Sequence, residues 1–185
     1  MAKQPTTFDE WYVKSSYQEF VQSEGAPLYE GSALEDLATL PLAPWERRGG
    51  KVAYTRLGNH ENNNLQIVEI APKGELKPER HIYDAIMYVM RGKGATTIWQ
   101  EGEPKHTVEW EEGSLLAIPL NAWHQEFNSS AGEPCRILFG TNLAHVVNLY
   151  HNFDFIFNNL FSFNDRYSSS MHSFFRRRAS TETCG

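Results

Sequence analysis

The sequence predicts an all-β fold, a closed or double-sheet barrel of about eight strands preceded by a helical extension. Two observations carry this prediction. From Lys51 onward, short stretches of apolar and β-branched residues recur, bounded by turn residues roughly every eight to fifteen positions, a spacing typical of all-β proteins. A single open sheet of that size would also leave unpaired edges, which closure of the barrel removes.

The composition is that of a folded protein with one core. The chain has 185 residues, 41% of them hydrophobic, which favours one domain plus an extension. Its formal charge of −6 lacks the cationic field that holds a phosphate backbone, so we expect no nucleic-acid partner. Two cysteines do not make a disulfide framework, and no run resembles a signal peptide or membrane helix. We therefore expect a cytoplasmic protein with no membrane partner.

The first fifty residues predict a helix followed by a wrapping loop. Thr7 and Glu10 have the spacing of a capping box, and aromatic and apolar residues follow at helical spacing, which predicts a helix over residues 8–22. Prolines and a Gly49-Gly50 pair then interrupt the chain, which indicates a loop with a short helix around residues 34–40. We therefore treat residues 1–50 as an extension that wraps the remainder.

Residues 51–145 predict the barrel itself. The strands are expected over residues 51–57, 65–71, 85–91, 94–100, 106–110, 114–118, 123–127 and 135–141. Residues 146–185 begin with many aromatic side chains of no clear period and end in a polar, basic stretch. We expect the aromatic part to pack back over the barrel or a partner subunit, and the tail to fray.

The segment GSLLAIPLNAWHQEFN carries the most specific motif of the chain. Gly113, Pro119, His124 and Asn128 have the spacing of the second signature of the cupin superfamily, which this segment resembles. The inner glycine of that signature is Asn121 here. Because asparagine tolerates a positive φ better than most residues, we expect the turn to survive.

The segment KGELKPERHIYDAIMYVMRGKG resembles the first cupin signature in altered form. Counting back from Gly92, the glutamate of the family falls at Ala85, its second histidine at His81 and its first histidine at Glu79. Side chains alternate along a strand, so Glu79, His81 and Ala85 share a face with Tyr83. Asp84 faces the other way and cannot replace the missing glutamate without a bulge or shift of register.

The resemblance covers roughly residues 50–145 and implies a jelly-roll barrel, commonly dimeric, with a metal or small ligand in its mouth. His81 and His124 occupy the metal-ligand positions of the family. Glu79 could supply the missing carboxylate, giving a set of two histidines and one carboxylate that suits Fe(II) or Mn(II). The alternative is that Glu79 is a surface glutamate in the turn before the strand.

Three further residues are candidates for the site. Glu126 faces the same way as His124 and is a fourth ligand, an acid/base group, or a structural carboxylate paired with an arginine such as Arg136. Tyr83 is a substrate-binding or proton-donating group, or simply packs. Gln66 shares a barrel face with apolar neighbours and could make a polar contact to a ligand in a mostly apolar pocket.

The pair Arg47-Arg48 has two readings as well. It could clamp an anionic substrate if the loop folds over the barrel mouth, or it binds the protein's own carboxylates.

Three functions are compatible with these residues. The first is a metal-dependent enzyme for a small organic acid or phenolic compound, of dioxygenase, decarboxylase or lyase type. The second is a metal-free protein that binds a small molecule or catalyses a non-redox step with Tyr83 and Glu126 as acid and base. The third is a structural or storage barrel. We also expect a homodimer, because the outward face of the first motif strand is apolar, with Ile82, Ile86, Tyr88 and Met90.

Overall fold

A computed structural model of the chain describes residues 14–58, 61–164 and 166–167. The elements within these residues follow one another as α1 Ser16–Ser23, β1 Leu28–Gly31, β2 Ala43–Pro44, β3 Lys51–Leu57, β4 Asn64–Ile70, β5 Ala85–Arg91, β6 Lys93–Trp99, β7 His106–Glu111, β8 Leu115–Ile118, β9 Trp123–Asn128, β10 Cys135–Thr141, α2 Leu143–Tyr150 and α3 Phe153–Phe157. The structure is therefore mostly β, with short helices near both ends of the described chain.

The strands form two sheets. The larger has the order β1-β3-β4-β10-β5-β8, with β2 paired to β3, and the smaller has the order β7-β6-β9. Crossovers between the sheets and the buried apolar side chains between them define a jelly-roll β-barrel. The segment before β5 extends the smaller sheet, because Glu75 bridges to Phe127 and Glu79 bridges to His124, both antiparallel.

Each of the eight predicted strands is present, and most boundaries agree within one residue. The alternation between buried and exposed residues that predicted them is visible in β5, where Ala85, Met87 and Val89 point inward while Ile86 and Tyr88 point outward. The structure adds β1 and β2, which are too short to show a period. The expected all-β barrel with a helical extension is confirmed.

Part of the predicted N-terminal helix is present as α1: residues 16–22 of the predicted range 8–22 are helical, residues 14 and 15 are not, and residues 8–13 lie outside the described residues. The helix begins at Ser16, and Ser15 and Gln18 form its capping box by exchanging side-chain and backbone hydrogen bonds. The capping box expected at Thr7 and Glu10 lies outside the described residues. The short helix predicted over residues 34–40 is wrong: residues 37–39 form a turn, held by Asp36, which accepts hydrogen bonds from the chain just after it.

The two extensions pack against each other at one end of the barrel. Phe20 of α1 stacks on Phe157 of α3, with ring centroids 5.8 Å apart. Ile156 is fully buried, and its carbonyl accepts a hydrogen bond from Ile82 N in the first motif segment. The early part of the aromatic C-terminal segment therefore packs back over the barrel, next to the residues singled out from the sequence.

Candidate metal centre

Backbone pairing brings Glu79 and His124 together. Glu79 N donates to His124 O at 3.0 Å, and His124 N donates to Glu79 O at 2.8 Å. Residues that exchange both hydrogen bonds across an antiparallel pair lie directly opposite and carry their side chains on the same face. Here that face is the barrel interior, and both side chains are buried.

The turn of the second motif positions His81 beside this pair. Asn121 N donates to His81 O at 2.8 Å, and Asn121 has the expected positive φ of 56°. The Asn121 side chain donates to the carbonyls of Asn159 and Phe161, contacts that a glycine could not make. Asparagine therefore preserves the turn and also fastens the C-terminal segment to it.

Both imidazoles are held in the form that a metal ligand requires. His81 Nδ1 lies 2.8 Å from Tyr83 O and His124 Nδ1 lies 3.4 Å from Ala122 O. A carbonyl only accepts, so each Nδ1 donates and each Nε2 retains its lone pair. Burial is the main reason that the pKa of each imidazole lies well below its ordinary value. Both rings are therefore neutral at pH 7.

Glu79, His81 and His124 form a group that could hold a metal ion. One donor atom from each lies within 4.8 Å of the others, and all three residues are buried. They face a small internal cavity of about 10 Å³, lined by Arg48, Gln66, Glu79, His81, Tyr83, Ala85, His124, Phe139 and Thr141. That volume is about what one water molecule occupies, so the cavity is of the size for a single ion or water rather than an organic molecule.

A network of ion pairs surrounds Glu79. Arg47 and Arg48, in the turn between β2 and β3, both contact its carboxylate, with Arg48 Nη1 at 3.6 Å from Oε1. Arg47 Nε also pairs with Glu24 Oε1 at 2.8 Å, and Arg48 Nη2 pairs with Glu126 Oε2 at 2.8 Å. The arginine pair therefore binds the protein's own carboxylates, one of its two predicted readings.

The arginine partner expected for Glu126 was wrong. Glu126 is fully buried and pairs with Arg48, whereas Arg136 lies opposite Glu69 on the neighbouring strand and approaches it to 3.7 Å. Arg136 Nη2 also donates to Leu40 O, outside the barrel interior. The second oxygen of Glu126, Oε1, has no hydrogen-bond partner among the described residues and lies 3.9 Å from His124 Nε2.

The donor set fits a divalent cation. The two arginines and the carboxylates of Glu24, Glu79 and Glu126 carry one net negative charge, and the buried Glu126 oxygen lacks a donor. Two neutral imidazoles and a carboxylate suit Fe(II) or Mn(II), and a ligating carboxylate usually keeps a hydrogen-bond donor on its other oxygen. The ion pairs of Glu79 with Arg47 and Arg48 are thus compatible with metal binding by Glu79. The two arginines and a bound cation would nevertheless compete for the same negative charge.

The other predicted residues also lie at or near the cavity. The Tyr83 ring stacks on His81, with centroids 3.6 Å apart and planes 6° from parallel. Burial is the main reason that the Tyr83 pKa is raised above its ordinary value, so the phenol keeps its proton. Gln66 is buried, and its Nε2 has no hydrogen-bond partner among the described residues. Asp84 is exposed and cannot act as a ligand, as the alternation predicted.

Sequence reasoning missed several residues around the cavity. Phe139 and Thr141 line it from β10, which lies outside both motifs. Arg48 was noticed only as half of a basic pair, and no local pattern links it to a glutamate 78 positions away. Ala85 lines the same cavity at the position where the family signature has glutamate. Because alanine is smaller than glutamate, this substitution accounts for part of the open volume.

Comparison with known proteins agrees with this fold. Residues 66–140 match the family model described as a cupin domain. The matched range contains both motif segments together with most of β4, all of β5 to β9 and most of β10. Residues 66–140 of this chain are therefore similar to a cupin domain. A comparison with curated proteins finds no significant match.

Several solved structures are similar to part of the chain. An oxalate decarboxylase from Lactobacillus farciminis, in a formate complex, is 22% identical over 56% of this chain and 31% of its own, with a TM-score of 0.49. A vicilin from hazelnut, Corylus avellana, is 20% identical over 55% and 33%, with a TM-score of 0.45. A recombinant oxalate oxidase bound to glycolate is 22% identical over 44% and 42%, with a TM-score of 0.41. The matched part is less than half of each of these proteins.

Within the part of the chain that the structure describes, no helix combines the length and apolarity needed to span a bilayer.

Proposed function

We propose that this protein is a metal-dependent enzyme acting on a small organic acid or phenolic compound, with Glu79, His81 and His124 as ligands of a divalent ion, Fe or Mn. The observation that supports it most directly is the convergence of two neutral, Nε2-accepting imidazoles and one carboxylate on a cavity the size of one ion. When bound, such an ion supplies Lewis-acid or redox chemistry of the kind used by oxygenases, decarboxylases and lyases.

The chain's own residues would bind the substrate and handle protons. Tyr83 keeps its proton and lies against His81, so its hydroxyl is a proton donor at the cavity wall. Glu126 has one oxygen held by Arg48 and the other unpartnered, so Oε1 is the atom that can accept a proton. Gln66 Nε2 is a buried donor facing the same cavity and can orient a ligand oxygen.

A metal-free small-molecule protein is the second candidate. The ion pairs of Glu79 with Arg47 and Arg48 favour it, because they already compensate the only carboxylate in the proposed ligand set. In that case Tyr83 and Glu126 act as acid and base without a metal.

Metal analysis of protein purified without chelator or nickel affinity resin separates the two candidates. We expect close to one Fe or Mn per chain. His81→Ala and His124→Ala should lose the ion, whereas His145→Ala, an exposed histidine on α2, should retain it. Protein that stays empty in excess Fe(II) or Mn(II), with an unchanged Tm, would refute the metal proposal.

The carboxylates provide a sharper comparison. Glu79→Gln should weaken metal binding more than Glu126→Gln, because a neutral amide is a poor ligand for a hard cation and Glu126 is not part of the ligand group. Ala85→Glu restores the side chain usual in the family at the same cavity. It should tighten metal binding in a metalloprotein, but destabilise a metal-free one by about 1–3 kcal/mol through an unpaired buried carboxyl group.

A further inference from the structure

A second, larger cavity adjoins the candidate metal centre. We call it the vestibule: a space of about 400 Å³ outside Glu79 and Arg48, which line both it and the inner cavity. Its remaining wall residues are supplied by the β2–β3 turn, the first motif segment, β9 and α3 with the residue that follows it. Unlike the inner cavity, this space is large enough for an organic molecule of moderate size.

Arg80 is the unusual group in the vestibule. It is only 8% exposed, yet no carboxylate among the described residues pairs with it, whereas Arg47 and Arg48 are each paired with two carboxylates. Its contacts are a 3.1 Å hydrogen bond from Nη2 to Asn158 O and a position 4.9 Å above the Trp123 ring. Its Nε is buried without an acceptor among those residues.

A nearly buried guanidinium without a counter-anion is costly to maintain. Such a group commonly marks the place where a ligand supplies the missing charge, because guanidinium binds carboxylate through two parallel hydrogen bonds. Glu79, which also lines the vestibule, is already paired with Arg47 and Arg48, whereas Asp154 in the same lining would repel a second negative charge on the ligand. The matching ligand therefore carries one negative charge.

The vestibule also has aromatic walls. Trp123, Phe153 and Phe157 line it, and Phe153 is 44% exposed although it is a large apolar side chain. Aromatic walls favour a flat apolar body through stacking and edge-to-face contacts.

We propose that the vestibule binds an aromatic monocarboxylate, with its carboxylate on Arg80 and its ring among Trp123, Phe153 and Phe157. This rests on the proposed function in that it narrows the substrate from organic acids and phenols in general to one class. The binding itself requires only residues of the vestibule and is measured without turnover.

The test is calorimetric titration of the purified protein with benzoate, and with benzyl alcohol, acetate and phenyl phosphate as comparison ligands. Benzoate should bind saturably and at least about tenfold more tightly than benzyl alcohol, which lacks the charge, and than acetate, which lacks the ring. Phenyl phosphate, with its greater charge, should also bind more weakly than benzoate.

Arg80→Gln should weaken benzoate binding about tenfold or more and leave the affinity for benzyl alcohol unchanged. Arg91→Gln, which removes a 52% exposed arginine remote from the vestibule, should leave benzoate binding unchanged. Should Arg80→Gln fail to fold, the wild-type ranking of the four ligands still decides the matter. Equal binding of benzoate and benzyl alcohol, or no saturation by about 10 mM benzoate, would overturn the proposal.

Metal content, measured on the same samples, keeps the two proposals apart. Specific benzoate binding by protein that never takes up metal would leave the vestibule proposal standing and refute the metal one. A metal-loaded protein with no preference for benzoate would refute the vestibule proposal and leave the metal proposal standing.

Discussion

Arg48→Met should be among the most destabilising single substitutions in this chain. Arg48 is 2% exposed, forms a 2.8 Å ion pair with the fully buried Glu126, and donates to Lys77 O from both Nε and Nη2. Removing one partner of a buried pair costs about 3–5 kcal/mol, because the remaining charge is left uncompensated. The two donations to Lys77 add about 1 kcal/mol, so we expect a loss at the upper end of that range.

A double-mutant cycle measured by urea unfolding tests the origin of this cost. Adding Glu126→Gln to Arg48→Met removes the uncompensated charge and should recover about 1–3 kcal/mol of the free energy of unfolding. Arg91→Met, an exposed arginine 4.0 Å from Glu69, is the control and should change stability by no more than about 0.5 kcal/mol. A loss below about 1 kcal/mol for Arg48→Met, or strictly additive effects in the cycle, would refute this reasoning.

Three other properties can be measured directly. A Cβ at Gly94 would lie 2.0 Å from Phe127 O, so Gly94→Ala should cost about 3 kcal/mol or more in thermal unfolding, whereas Gly132→Ala, with open space around it, should cost less than about 1 kcal/mol. Burial raises the pKa of Cys135 to about 11 and leaves its side chain inaccessible, so at about pH 8 the native thiol should react with iodoacetamide at least on the order of a hundredfold more slowly than a free cysteine. Peptide mass spectrometry measures that rate. Because Ile86 is 51% exposed on an apolar outer face, we expect light scattering to give twice the 21.2 kDa chain mass and Ile86→Asp to give the monomer; a monomeric wild type would contradict the dimer.

The barrel could be predicted because its determinants are local. Strand alternation and the turn residues between strands are both properties of short segments, and they located every long strand to within about one residue at most ends. The register of the first motif likewise predicted which residues of that segment face inward. The helix expected at 34–40 failed because Asp36 uses its side chain to close a turn instead, a local competition that propensity alone does not resolve.

The partners of the buried charges could not be predicted in the same way. Glu126 has Arg48 as its partner although Arg136 is far closer in sequence. Arg136 lies opposite Glu69 in the β4–β10 pair, and this position directs its side chain away from the cavity. Which arginine reaches a buried glutamate is decided by where the β2–β3 turn folds, and that is a long-range property of the whole chain.

The residues around the candidate site come from inside and from outside the segment that matches the family model. The ligand candidates Glu79, His81 and His124 lie inside the segment that matches the family model. Arg47 and Phe153 lie outside it, on either side, and with their neighbours they close the site and line the vestibule. Of the residues that line the vestibule, those of the β2–β3 turn and α3 lie in the extensions, whereas Arg80 and Trp123 lie within the matched segment. A substitution at Phe153 in α3 should therefore alter ligand preference in the vestibule and leave Glu79, His81 and His124 in place.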